Sequence, residues 1–270
     1  MMLDWDRFMR FFGKRALDGV ETVKDGIYRR TVRVDGVPAL VEIDASLSVS
    51  ILESLGEVDP AVVERRFRRC FDLDADLTAI TAHLGRDPFM AGLIARFPAV
   101  RVPSHWDPFE TAMRTVIGQQ ITVVQAAKLN TRLVERAGPI RSFGRLFPTA
   151  EEVLAADLSN MGMPGARVAT LKAVAEASLA IPDLFSRGAT IEETVERLCK
   201  IKGVGPWTAN YIALRGCRDP DAFPAGDAGI LRGAAGPDGV RPTPAELIER
   251  AQAWKPYRAY AAQYLWAASE

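Results

Sequence analysis

The stretch that decides the architecture is Leu198-Cys199-Lys200-Ile201-Lys202-Gly203-Val204-Gly205-Pro206-Trp207-Thr208-Ala209-Asn210-Tyr211. A helical pattern over Thr190–Lys200, with Glu192 and Glu193 in its first turn as the helix dipole favours, runs into Gly203-Val204-Gly205. A second helix is expected over Pro206–Arg215. Proline suits the first helical position, where its missing N–H is no loss, and Gly216 stands where a C′ glycine would. The outcome is a helix, a tight Gly-x-Gly hairpin and a second helix. Two glycines one residue apart let the main chain approach another molecule closely. Bare N–H groups beside a helix N-terminus form an anion site suited to a DNA phosphate, a contact that positions without reading sequence. The same spacing also fits a plain turn between helices.

About twenty residues on lies Phe223-Pro224-Ala225-Gly226-Asp227-Ala228-Gly229-Ile230, a Pro/Gly-rich loop with one carboxylate just before a short helix. Taken alone, Asp227 is an N-cap, a role aspartate fills well. Further helical patterns cover Phe109–Ala137, Thr149–Leu158 (a Thr N-cap with Glu152 three residues on), Arg167–Leu179, Pro244–Trp254 and Arg258–Ser269. From about residue 85 onward the chain therefore reads as all-α. The N-terminal part differs. Ile27–Val34 and Ala39–Ser48 alternate apolar and polar residues around Asp35-Gly36, which predicts a β-hairpin, flanked by helical patterns at Phe8–Leu17 and Pro60–Phe71. The fold class is α+β, mainly α: a small N-terminal domain with an antiparallel sheet, then two helical domains containing the helix-hairpin-helix.

Composition removes several chemistries. With 48% hydrophobic and 25% charged residues, the 270-residue chain is of ordinary globular composition and long enough for two or three small domains. Cys70, Cys199 and Cys217 are scattered with no CxxC pair, so a four-thiolate zinc or iron–sulfur site cannot be built. Only His83 and His105 exist, which leaves chemistry to carboxylates, lysines and aromatics. The 34 basic residues balance the 34 acidic ones, yet Leu198–Arg218 carries Lys200, Lys202, Arg215 and Arg218 and no acid. The longest uncharged stretch, Thr115–Ala127, is 13 residues and holds three glutamines, too short and polar to span a bilayer. The opening MMLDWDRFMRFF has no apolar core of a signal peptide, so a cytoplasmic, nucleoid-associated protein is expected.

Together the hairpin and the Asp227 loop resemble the helix-hairpin-helix (HhH-GPD) glycosylase superfamily, and more closely its bacterial 3-methyladenine DNA glycosylase II, AlkA-type, family. The likeness runs through most of the chain: Val20-Glu21-Thr22-Val23, Arg69–Leu73, Ile117-Gly118-Gln119, Ala126-Ala127-Lys128-Leu129, Met161-Gly162-Met163-Pro164, Gly203–Gly216, Trp254-Lys255-Pro256-Tyr257-Arg258 and Trp266. It implies domains over 1–83 (α+β), 108–219 (helical, with the hairpin) and 84–107 with 220–270 (helical, carrying the Asp loop). The implied activity is base excision repair: alkylated purines, of the 3-methyladenine and 7-methylguanine type, are flipped out of DNA and released by hydrolysis.

By this resemblance Asp227 is the catalytic carboxylate that stabilises an oxocarbenium-like sugar. Trp207, Tyr211 and Trp266 line the base pocket; the first two, four apart on one helix, share a face that stacks on a flipped base and attracts a cationic one. Trp207 stands where lyase members of the superfamily carry a Schiff-base lysine, which implies a monofunctional enzyme. Gly203, Val204 and Gly205 are the phosphate contacts, with Thr208 and Lys202 beside them. Gln120, next to Gln119, takes the place of the wedge that fills the gap left by the base, where leucine is familiar. The small residues around Asp227 suggest an open pocket. The resemblance implies no cofactor and no iron–sulfur cluster, at most a sodium or magnesium ion on the backbone of Gly203 and Gly205. The partner is double-stranded DNA with alkylated bases, without a membrane, and the chain is expected to be a monomer. A glycosylase/AP lyase using another lysine and a non-catalytic damaged-DNA-binding protein remain the alternatives.

Overall fold

The structure is a computed structural model that describes residues 3–236 and 239–270. Helix α1 (Trp5–Gly13) is capped by Asp4, whose carboxylate accepts from the Arg7 amide. Strands β1 (Glu21–Lys24), β2 (Ile27–Val34), β3 (Val37–Ile43) and β4 (Val49–Ser54) follow as an antiparallel meander in that order. Asp35 and Gly36 set the register: both have left-handed φ values, 50° and 87°, as a type I′ turn requires, and Val34 faces Val37 across them. One face of the sheet packs on α1 and on α2 (Pro60–Cys70) through Phe8, Phe12, Tyr28, Val41, Phe67 and Phe71.

Helices α3 (Leu77–Leu84), α4 (Pro88–Arg96), α5 (Pro108–Ile117) and α6 (Val123–Ala137) come next. Three of these early helices, α2, α4 and α5, begin with the same Asp-Pro pair: the Asp59, Asp87 or Asp107 carboxylate takes a first-turn amide and proline fills the first helical position. A two-residue pairing of β5 (Ile140–Arg141) with β6 (Gly144–Arg145) leads to α7 (Ala150–Ala155), α8 (Gly165–Ala180), α9 (Ile191–Cys199) and α10 (Pro206–Arg215). The chain closes with α11 (Ala228–Gly233), α12 (Pro244–Arg250), a 3₁₀ turn (Ala251–Trp254) and α13 (Arg258–Ala268).

Besides the sheet core there are two helical cores. One gathers α5 to α9 with Leu17 and Val20; the other gathers α3, α4, α11, α12 and α13 around Trp254. Helix α10 belongs to both. Ala209 and Ile212 pack into the first core, Ala213 and Leu214 into the second. Its remaining face carries Trp207, Tyr211 and Arg215 at four-residue steps, the first two half-buried and Arg215 buried. A buried ionic cluster fixes the sheet against α5: Arg30 pairs with Glu110 at 2.8 Å, Arg114 pairs with Glu21, and Arg114 Nη1 donates to the Arg15 carbonyl. It thereby ties the segment after α1 to α5.

Several elements differ from the sequence expectation. The first helix spans Trp5–Gly13 rather than Phe8–Leu17, because the Leu17 amide turns away to the Glu21 carboxylate. The all-α body contains the β5–β6 pair. Gly216 ends α10 in a right-handed conformation (φ −86°), so it is the cap itself rather than a left-handed C′ glycine. The basic strip also divides. Arg215 is buried, Arg218 turns inward to Asp72 and the Val102 carbonyl, and Lys200 and Lys202 stay exposed.

Candidate active site

The Asp227 loop is built against α10. Asn210 Oδ1 accepts the Phe223 amide at 3.1 Å, and the Asp227 amide donates back to the Pro224 carbonyl, closing a turn that delivers Asp227 to the start of α11. Its two carboxylate oxygens then divide their tasks. Oδ1 accepts the Gly229 and Ile230 amides at 2.8 and 3.1 Å, the capping role, and the Trp266 indole N–H at 2.8 Å. Oδ2 accepts one longer bond, from Trp207 Nε1 at 3.2 Å, and so keeps a lone pair free. Asp227 is neither buried nor solvated but half-buried.

The three aromatic residues expected at the pocket are gathered here. Trp207 and Tyr211 stack at 5.4 Å between centroids, and Tyr211 meets Trp266 edge-on at 5.8 Å. All three are half-buried, with one side of the wall accessible. The small residues of the loop divide: Gly226 and Ala228 are exposed, with nothing within 4 Å of a Cβ on Gly226, whereas Gly229 and Ala225 pack inward. A Cβ on Gly229 would stand 2.9 Å from Trp266 Cδ1, so glycine there permits the indole to close on the carboxylate. Ala225 is buried in the core.

At the hairpin, Gly203 has φ +87°, and a Cβ would come within 1.9 Å of Thr170 Oγ1; only glycine fits. Gly205 faces open space. Among the described residues no acceptor takes the amide N–H of Gly205, Trp207 or Thr208, so the start of α10 keeps donors without a protein partner. The expected bare amide of Val204 is not one of them, since it donates to the Ile201 carbonyl at 3.0 Å, and the Val204 side chain is buried. Thr208 is buried as well, its hydroxyl taken by Gln119 Nε2 at 2.9 Å. Lys202 is exposed beside the hairpin.

The two adjacent glutamines face opposite ways. Gln119 points inward, donating to Thr208 Oγ1 and, at 3.2 Å, to the Gly203 carbonyl, while its own carbonyl accepts from Arg167 at 2.8 Å. It ties the α5–α6 turn to α8 and the hairpin. Gln120 is exposed at the tip of that turn with φ +57°, a left-handed conformation costly for a non-glycine residue. The sequence did not single out Asn210 and Gln119 as clamps; both sit inside motif strings, but their inward direction follows from contacts 13 and 84 residues away. Among the described residues no three His, Cys, Asp or Glu side chains gather as a metal site. A cation at the hairpin would rest on main-chain carbonyls, and that of Gly203 already serves Gln119.

Comparison with known proteins places the chain in a family. Residues 113–259 match the family described as HhH-GPD superfamily base excision DNA repair protein, and residues 2–107 match the AlkA N-terminal domain. The chain is 33% identical over 274 residues to DNA-3-methyladenine glycosylase 2 of Escherichia coli, covering 97% of this chain and 93% of that one. It is 37% identical over 265 residues to the probable bifunctional transcriptional activator/DNA repair enzyme AlkA of Mycobacterium tuberculosis, covering 94% of this chain; it spans about half of that relative, 53%. Among solved structures, 3-methyladenine DNA-glycosylase from Archaeoglobus fulgidus superposes with a TM-score of 0.83 at 23% identity, over 99% of this chain and 95% of that one. The 3-methyladenine DNA glycosylase of Schizosaccharomyces pombe, solved with abasic DNA, gives 0.58 at 27% identity, over 70% and 95%.

Proposed function

The chain belongs to the HhH-GPD superfamily of base excision DNA repair proteins, with an AlkA N-terminal domain ahead of the shared fold, and we propose that it is a monofunctional DNA glycosylase that releases alkylated purines. The observation that carries this reading is the bonding of Asp227. Both pocket indoles donate to a carboxylate that still keeps one oxygen partly free, an anion held rigidly beside an aromatic wall. Its E. coli relative is named DNA-3-methyladenine glycosylase 2 and the S. pombe glycosylase was solved with abasic DNA, which supports DNA as partner and alkylated bases as substrate.

In this mechanism the bare amides at the start of α10 grip a backbone phosphate, Gln120 enters the stack, and the extruded base lies against Trp207, Tyr211 and Trp266. The C1′–N bond breaks with both electrons leaving on the base. Positive charge develops on the sugar, and Asp227, whose orientation is set before the reaction, stabilises it. Water oxygen then bonds to C1′, and its proton passes to Asp227 or to solvent. An N-alkylated purine departs as a neutral molecule, so a second carboxylate acid is unnecessary. Trp207 has no amine to form a Schiff base, so the abasic strand stays unbroken.

Methylated duplex DNA incubated with the protein is the test. Free 3-methyladenine and 7-methylguanine, identified by mass, with an intact abasic strand and no borohydride-trapped adduct, fulfil this reading. A trapped adduct contradicts the monofunctional part, and binding without release contradicts catalysis.

A further inference from the structure

Arg215 continues the line of Trp207 and Tyr211 along α10, one turn deeper. Arg215 is 3% exposed, and its guanidinium lies 5.1 Å from the Tyr211 ring, 5.0 Å from Trp266 and 4.8 Å from Phe11. One N–H on Nη1 goes to the Pro103 carbonyl at 2.6 Å, while Nε is buried with no acceptor. No carboxylate among the described residues lies within 4.0 Å to pair with it. A second guanidinium, Arg15, stacks on Phe11 at 4.0 Å and lies beside the Tyr211 hydroxyl, again with no carboxylate pair among the described residues. Buried ions normally come paired. Here two positive charges lie against one aromatic cluster, and the carboxylate bonded to its indoles is that of Asp227.

We propose that Arg215 is a specificity-determining residue: its unpaired charge against Tyr211 and Trp266 penalises the entry of a cationic base while assisting the departure of any base. The inference rests on the glycosylase reading and deepens it. It also reverses the simple expectation that the aromatic wall attracts cations, because the inner faces of the rings are already engaged by guanidinium.

The two effects separate by charge balance. When the C1′–N bond breaks, both electrons go to the base. An N-alkylated purine passes from +1 to neutral, and a neutral base such as hypoxanthine passes from neutral to −1, later taking a proton from water. The base becomes one unit more negative and the sugar, beside Asp227, one unit more positive in each case, so a fixed positive charge against the rings that hold the base speeds bond cleavage for both classes alike. Entry differs. A base that arrives cationic is repelled, and a neutral base is not. Arg215 therefore narrows the advantage that a cationic lesion would otherwise hold in occupying the pocket.

The test compares duplexes carrying a single 7-methylguanine, the cationic probe, or a single hypoxanthine, the neutral probe, under single-turnover conditions. Across a ring, at effective dielectrics near those of protein sites, one charge is expected to change rates by roughly tenfold. Arg215→Met should slow the saturated release rate of both bases by similar factors of about that size. It should lower the half-saturating protein concentration several-fold for 7-methylguanine and leave that for hypoxanthine unchanged. Arg215→Lys, which keeps the charge, should restore both release rates, whereas a purely structural role would leave Lys as impaired as Met. Arg15→Met, at a half-buried position, should show the same pattern more weakly if the Arg215 variants fold poorly.

Equal losses of half-saturation for both probes, no recovery with lysine, or no release of hypoxanthine by the wild type would overturn the inference. Failure of the wild type to release either base would instead overturn the glycosylase reading itself, so the two failures are distinguishable.

Discussion

Asp227 Oδ1 and Trp266 Nε1 stand 2.8 Å apart, joining the start of α11 to the last helix of the chain across 39 residues of sequence. The indole thus does two things at once: it packs edge-on against Tyr211 and holds the carboxylate. Trp266→Phe separates the two, keeping a ring and deleting the donor. A hydrogen bond to a charged group contributes about 1.5–3 kcal/mol, so base release is expected to fall roughly ten- to a hundredfold. Trp207→Phe, which removes a longer bond to Oδ2, should cost less. Single-turnover release rates for the two variants check the order.

The hairpin glycines make opposite demands. Alanine at Gly203 would collide with Thr170 at a left-handed φ, so Gly203→Ala should destabilise the protein by at least about 2 kcal/mol and spoil the hairpin. Alanine at Gly205 meets no protein atom within 4 Å, and its φ of −92° suits any residue. Gly205→Ala should therefore unfold at the wild-type temperature yet bind DNA roughly tenfold more weakly, because its methyl stands between amide and phosphate. Thermal unfolding and fluorescence anisotropy at fixed low salt measure the two effects, and unchanged DNA binding by Gly205→Ala would remove the hairpin from the interface.

A third consequence concerns pH. His105 is buried, and burial first, then Arg114, Arg215, Arg30 and Arg15 around it, hold its pKa well below the usual 6.5. In the unfolded chain it takes a proton near pH 6.5, whereas the folded chain does not. Below that pH the unfolded state binds one proton more, so stability rises with pH and is lost on acidification from about 6.5 downward. The wild type should lose about 1.4 kcal/mol per pH unit more than His105→Gln between pH 6 and 5. Denaturant unfolding at each pH measures it, and equal slopes would show that His105 titrates normally in the folded state.

Local signals carried much of this fold. Asp35-Gly36, the Thr149–Glu152 capping box and Gly203-Val204-Gly205-Pro206 each specify their own backbone, and the sequence reading placed α10 at its observed bounds. Helices α3 and α4 escaped it although Asp87-Pro88 starts α4 as plainly as Asp59-Pro60 starts α2, because both are short and punctuated by the Gly85–Asp87 turn. Strand β1 escaped because its first residue is Glu21, a charge buried against Arg30 and Arg114, which breaks the alternation a strand is recognised by. At the site, Trp207, Tyr211, Trp266 and Asp227 were legible through resemblance. Arg215 was not. A guanidinium on a helix reads as solvated until Phe11 and Trp266, from opposite ends of the chain, close over it. Nor does sequence say which of Gln119 and Gln120 turns inward.

The most direct measurement is single-turnover release of 7-methylguanine from duplex DNA by the wild type and by Asp227→Asn, with binding to the same DNA followed in parallel. Asparagine caps α11 nearly as well as aspartate but carries no charge. Release is expected to slow about a thousandfold with affinity within about threefold of wild type, in line with the loss of one preorganised charged stabiliser. Release by Asp227→Asn at a rate near that of the wild type would contradict it.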